Sequence, residues 1–131
     1  MNWPYLAGFF DGEGCIHYST RPYGRYVLVK VSQGWVNERS GVCGEVLDFL
    51  GSNGIRARLT CKSARERERF GKHEVIASSA EGCRLWLVGM LPFLIVKRNA
   101  AEGAIKHTLL LKRRTILAPL KETVHVCEAV L

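Results

Sequence analysis

At Gly14 the hydrophobic period of the chain changes from helical to alternating with no linker between, and that junction constrains the fold more than any other feature. Residues 3–10 read as a short apolar helix, with Pro4 in the first turn, where a missing N–H costs nothing. Residues 15–21 then alternate, Ile16, Tyr18 and Thr20 against His17, Ser19 and Arg21. Pro22-Tyr23-Gly24 reads as a turn. Residues 25–33 return as a strand, with Val27, Val29 and Val31 on one face and Tyr26, Leu28, Lys30 and Ser32 on the other. A helix therefore feeds straight into a hairpin that has one apolar and one largely polar face.

The pattern then recurs. Residues 40–50 suit a helix that buries Val42, Val46, Leu47, Phe49 and Leu50 and stops at Gly51. In 55–62, Ile55, Ala57, Leu59 and Cys61 alternate with Arg56, Arg58, Thr60 and Lys62. Residues 63–71 are highly charged and fit an exposed hairpin tip, and 72–78 return as a strand with Val75 and Ala77 inward. Helices are expected over 79–90, 96–111 and 119–130. Hairpins covered on one face by helices make an α+β domain with an antiparallel sheet. With 131 residues there is room for a single domain, 1–131, with a sizeable core.

Charge indicates what the open sheet face meets. Nineteen Lys and Arg against twelve Asp and Glu give a net charge of +7, which calls for a polyanionic partner, nucleic acid above all. His17, Arg21, Lys30, Arg56, Arg58 and Lys62 fall on that face, and a β-ribbon fits the major groove of B-DNA. Lys112, Arg113 and Arg114 suit phosphate contact or plain solvation. The apolar run 85–96 is too short to span a bilayer and is broken by Pro92, and the N-terminus lacks a signal-peptide pattern, so a soluble intracellular protein is expected. Five cysteines without a Cys-x-x-Cys pair indicate neither a disulfide framework nor a zinc knuckle, but reduced thiols.

One local contradiction remains. Asp11 and Glu13 occupy the last turn of the first helix, where the negative end of the helix dipole disfavours carboxylates. Gly8 and Gly12 lie four residues apart on one face and would let another helix come close. Closely paired helices ending in acids suggest a site for cations.

The stretch Leu6-Ala7-Gly8-Phe9-Phe10-Asp11-Gly12-Glu13-Gly14 closely resembles the signature of the LAGLIDADG homing endonucleases, and the helix–hairpin–helix–hairpin order is similar to that family's core over about 3–111. The resemblance implies an αββαββα core with an antiparallel four-stranded DNA-binding saddle. It implies a site-specific double-strand endonuclease that hydrolyses phosphodiesters with Mg²⁺, or another divalent cation such as Mn²⁺, held by Glu13 and the Gly12 carbonyl. Only one copy of the motif is present, which implies a homodimer packed through Leu6, Gly8, Phe9 and Gly12 on a long pseudo-palindromic site. Double-stranded DNA is then the partner, with neither a membrane nor a small-molecule substrate.

Two further segments resemble the family. Val31-Ser32-Gln33 is similar to its Val-x-Gln strand end, and Pro92-Phe93-Leu94-Ile95-Val96-Lys97 to its Pro-Phe-Leu-x-x-Lys stretch. Gln33 and Lys97 are thereby implied as active-site residues, and Arg39 as the basic residue that follows the glutamine. The saddle would read bases with His17, Ser19, Arg21, Tyr26, Leu28, Lys30, Arg56, Arg58, Thr60 and Lys62, and less strongly with Lys72 and Glu74. The family also includes proteins that bind nucleic acid without cutting, RNA maturases and DNA-binding regulators, and this is the alternative reading. The set Glu13, Gln33 and Lys97 favours catalysis, since a pure binder needs none of it.

Overall fold

The computed structural model describes residues 1–19, 26–35, 41–62, 71–113 and 123–126; for Trp35, Lys62, Lys112, Arg113 and 123–126 the backbone alone is described. The elements run α1 (Trp3–Glu13), β1 (Gly14–Ser19), β2 (Tyr26–Trp35), α2 (Gly41–Ser52), β3 (Arg58–Lys62), β4 (Gly71–Ala77), α3 (Ala80–Met90), a 3₁₀ turn (Leu91–Phe93), α4 (Arg98–Arg113) and β5 (Thr123–Val126). All pairings are antiparallel, in the order β3-β4-β2-β1-β5.

Local chemistry sets the boundaries. Asn2 caps α1, its Oδ1 accepting from the Tyr5 N–H at 2.9 Å, and Pro4 follows in the first turn. Ser79 caps α3 in the same way, accepting from the Gly82 N–H at 3.0 Å. Helix α2 runs past the expected stop at Gly51. It closes at Gly54, which takes the left-handed conformation (φ +73°) while the Ile55 N–H donates to the Leu50 carbonyl at 2.9 Å.

The helices cover one sheet face. Ile16, Val27, Val29, Val31, Val75 and Ala77 meet Leu6, Phe10, Val46, Leu50, Trp86 and Leu87 in a single core. Trp86 of α3 lies edge-on to Phe10 of α1, with ring centroids 5.9 Å apart, and Trp3 meets Phe49 of α2 at 4.9 Å. Helix α4 packs over β1, where Tyr18 faces His107 at 5.0 Å and a Cβ at Gly103 would crowd the Tyr18 hydroxyl. Burial pushes the Cys43 thiol up from the usual 9.0 to about 11, with the Glu74 charge adding to it, and the Cys83 thiol to about 12. Both therefore stay protonated at neutral pH.

Helix α1 carries Asp11 and Glu13 in its last turn, as read from the sequence. One element differs from expectation. The helix expected over 119–130 is, where it is described, the strand Thr123–Val126 on the free edge of β1. Thr123, Val124 and Val126 are β-branched and an open edge was available, so pairing outweighed the helical pattern. Among the described residues no helix is long and apolar enough to cross a membrane.

Candidate functional site

The C-terminus of α1 is held by a reciprocal clasp. The Asp11 carboxylate accepts three consecutive backbone N–H groups, from Ile95 to Oδ2 at 2.8 Å and from Val96 and Lys97 to Oδ1 at 3.1 and 3.0 Å. In return the Lys97 ammonium, only 1% exposed, donates to the carbonyls of Phe10 at 3.1 Å and Asp11 at 2.7 Å. Those carbonyls are among the last in the helix, where the Phe10 carbonyl also accepts from the Gly14 N–H, and a cation suits the negative end of the dipole. The contradiction in the sequence is thus half resolved. Asp11 is not poised over α1 as a bare charge; it anchors the approach to α4.

Glu13 stands apart from the clasp. It ends α1 as an exposed side chain, and Gly14 opens β1 in extended conformation. A Cβ at Gly14 would collide with the Phe10 ring, so only glycine lets the helix pass directly into the strand. The acid is therefore fixed at a corner with no flexible loop on either side. Its donor chemistry, a carboxylate oxygen beside the Gly12 carbonyl, is all hard oxygen and fits a cation such as Mg²⁺. Among the described residues no three His, Cys, Asp or Glu gather into a metal site.

Gln33 lies at the same end of the sheet. Gly14 pairs with Val31, and β2 continues two residues beyond that pair to Gln33, where β1 has given way to α1. Gln33 is exposed, with its Oε1 3.8 Å from the position a Cβ would take on Gly41, which opens α2 at φ +52°. The structure thus brings Gly12, Glu13 and Lys97 to one helix end, with Gln33 on the adjoining strand end. Lys97, implied as an active-site residue, lies at that helix end with its ammonium on the Phe10 and Asp11 carbonyls. Arg39 and Arg21 lie outside the described residues.

The sheet alternates as expected. With Ile16, Val29, Leu59 and Val75 turned to the helices, register places His17, Ser19, Tyr26, Leu28, Lys30, Arg58, Thr60, Lys72 and Glu74 on the opposite face, with the Lys62 backbone paired to Lys72. Tyr26, Arg58 and Lys72 are exposed, and His17, Leu28, Lys30 and Thr60 are partly so. Arg58 Nη1 donates to Ser78 Oγ at 3.2 Å. Arg56 is exposed but precedes β3, in the non-strand stretch 55–57. Two expected contact residues need correcting: Ser19 and Glu74 are 2% and 1% exposed. The Glu74 carboxylate is paired with the Lys72 ammonium at 3.2 Å, so it is not offered to a base edge.

The expected interface also needs one correction. Leu6 is fully buried inside this chain, in the core with Ala7 and Phe10, and has no surface left for a partner. The open face of α1 is made by Tyr5, Gly8, Phe9 and Gly12, and a Cβ at either glycine would meet nothing within 4 Å. Among the described residues nothing requires glycine at these two positions. Tyr5, 57% exposed, was missed, although its spacing to Gly8, Phe9 and Gly12 marks the same stripe.

No family model and no curated protein sequence matches the chain. Solved structures do. The homing endonuclease I-CvuI in complex with its target, in the presence of 2 mM Ca, superposes with a TM-score of 0.66 at 20% identity, over 84% of this chain and 67% of that one. A second I-CvuI complex, with 2 mM Mg and uncleaved DNA, gives 0.66 at 21% identity over the same shares. The LAGLIDADG meganuclease I-AabMI bound to uncleaved DNA gives 0.61 at 16% identity, over 86% of this chain and 38% of that one. The chain has the fold of the LAGLIDADG homing endonucleases.

Proposed function

We propose that this chain is a site-specific double-strand DNA endonuclease that acts as a homodimer inside the cell. The observation that carries the reading is Glu13, exposed at a loopless helix–strand corner beside an open glycine face. The fold, shared with endonucleases described as bound to DNA, and the basic sheet face support it.

Glu13 and the Gly12 carbonyl would hold the divalent cation, and a second copy would bring the matching pair. When bound, such a cation activates water and stabilises charge on the scissile phosphate. The residues of the chain do the rest. Lys97 fixes the helix end on which Glu13 sits and supplies positive charge just behind it. Gln33, at the strand end, orients water or phosphate by hydrogen bonding, and Arg39 adds a charge toward the phosphate. Lys30, Arg58 and Lys72, with Arg56, Arg21 and Lys62, face the DNA, and His17, Tyr26, Leu28 and Thr60 complete the reading surface. Two glycines per helix allow close backbone approach, and two-fold pairing doubles the sheet.

The test is cleavage of a plasmid library of candidate targets with and without Mg²⁺. Cutting at one long site only with metal is expected. Tight binding with no cutting under any divalent cation would make the chain a binder instead. Sedimentation at micromolar concentration should show a dimer, and Gly12→Leu, which fills the open face without touching the chain's own core, should give monomers. A stable wild-type monomer would refute the assembly.

A further inference from the structure

At the outer margin of the sheet two basic side chains leave the strand surface. Strand β3 is an edge strand, and Arg56 lies before it, off the pleat. Arg58 opens the strand, with its Nη1 turned to Ser78 Oγ at 3.2 Å, just past the end of β4. The two arginines, Ala57, Ile76, Ser78 and Ser79 line a crevice of about 320 Å³. Gly82 lets the start of α3 come up against the approach to β3. A Cβ there would lie 2.7 Å from Ser79 Oγ and 3.2 Å from the Arg56 carbonyl, closer than a side chain permits.

We propose that this crevice holds a phosphodiester of the bound DNA backbone, so that Arg56 and Arg58 are phosphate anchors instead of base readers. The inference deepens the nuclease reading and rests on it for the identity of the partner. The polar side chains of the crevice are arranged to donate. Ser79 Oγ accepts the Gly82 N–H and Ser78 Oγ accepts from Arg58, so each hydroxyl keeps its own proton to give. Arg56 and Arg58 are exposed and, among the described residues, neither is paired with a carboxylate. Among the described residues no carboxylate lines the crevice either.

A phosphodiester is the complement of such a lining, an anion that only accepts, and the guanidinium fork matches its oxygens. Base-pair edges present donors beside acceptors, which an all-donor crevice leaves unpaired. Position agrees with the chemistry. A sheet laid in the major groove meets base edges along its middle, and the sugar-phosphate walls of the groove at its margins. Lys30, on the central strand β2, is placed for bases; Arg56 and Arg58, at the β3 edge, are placed for the wall.

The whole chain is titrated with fluorescent mixed-sequence duplexes over a range of KCl, and its base preferences are read from a randomised duplex library. The double substitution Arg56→Gln with Arg58→Gln, at exposed side chains, should keep the wild-type thermal melt and weaken binding about tenfold at low salt for every sequence alike. The slope of log affinity against log salt should fall by about 1 per bound copy, because fewer counterions are released. Preferences in the library should stay those of the wild type. In a duplex chosen from that library, an uncharged methylphosphonate at one backbone position should weaken the wild type and leave the double variant unaffected. Ser78→Ala, a gentler change, should move affinity the same way by less. A base preference lost at a defined position with the salt slope kept would overturn the proposal and make the arginines base readers. Wild-type slope and affinity in the double variant would overturn it too. A wild-type chain that binds no duplex at any salt would overturn the DNA reading itself, and this assignment with it.

Discussion

Glu13→Gln is expected to lower DNA cleavage by about a thousandfold or more while leaving target binding almost unchanged, measured side by side as strand scission and gel-shift affinity. The substitution removes a charge but little volume, and Glu13 is exposed at the end of α1 with no core contact to lose. Folding should therefore be intact. A carboxamide still offers an oxygen but no negative charge, so it holds a hard divalent cation poorly. In a dimer both copies lose the ligand together. The proposed contacts to DNA lie along the sheet, on side chains that the substitution does not touch. Loss of binding along with cleavage would mean that Glu13 supports the structure; cleavage at the wild-type rate would remove it from the metal site.

The two acids show how far the sequence could be read. Alternation in β1 and β2 was legible because one face meets a core, so Val27, Val29 and Val31 announce their direction residue by residue. The different fates of Asp11 and Glu13 were not legible in local pattern. What separates them is a backbone segment 84 residues away, whose N–H groups carry no signature in sequence. Lys97 shows the same limit: its position in a motif marked it as important, yet its contacts are with carbonyls of another helix. Leu6 was misassigned because a helix of low amphipathicity leaves its buried face undetermined until α3 and the sheet are in place. The strand Thr123–Val126 was missed because an unpaired edge is a property of the assembled sheet.

Asp11→Ala is expected to destabilise the chain by about 3 kcal/mol and to lower the midpoint of thermal unfolding by roughly 10 °C. Three N–H donors lose their acceptor at once, two of them at exposed positions where water compensates and one at Lys97, which is buried. The loop from Leu94 to Lys97 also loses what fixes the start of α4, and with it the position of the ammonium. Lys97→Met should cost less, about 2 kcal/mol, because two helix-end carbonyls lose the ammonium, although that of Phe10 keeps the Gly14 N–H, and the cost of burying a charge is also removed. The two contacts share one junction, so the double substitution should cost clearly less than the sum of the single ones. Circular dichroism melts of the four chains close the cycle. Strict additivity would mean that the carboxylate and the ammonium act independently, and that the clasp is two contacts lying side by side instead of one unit holding Glu13 in place.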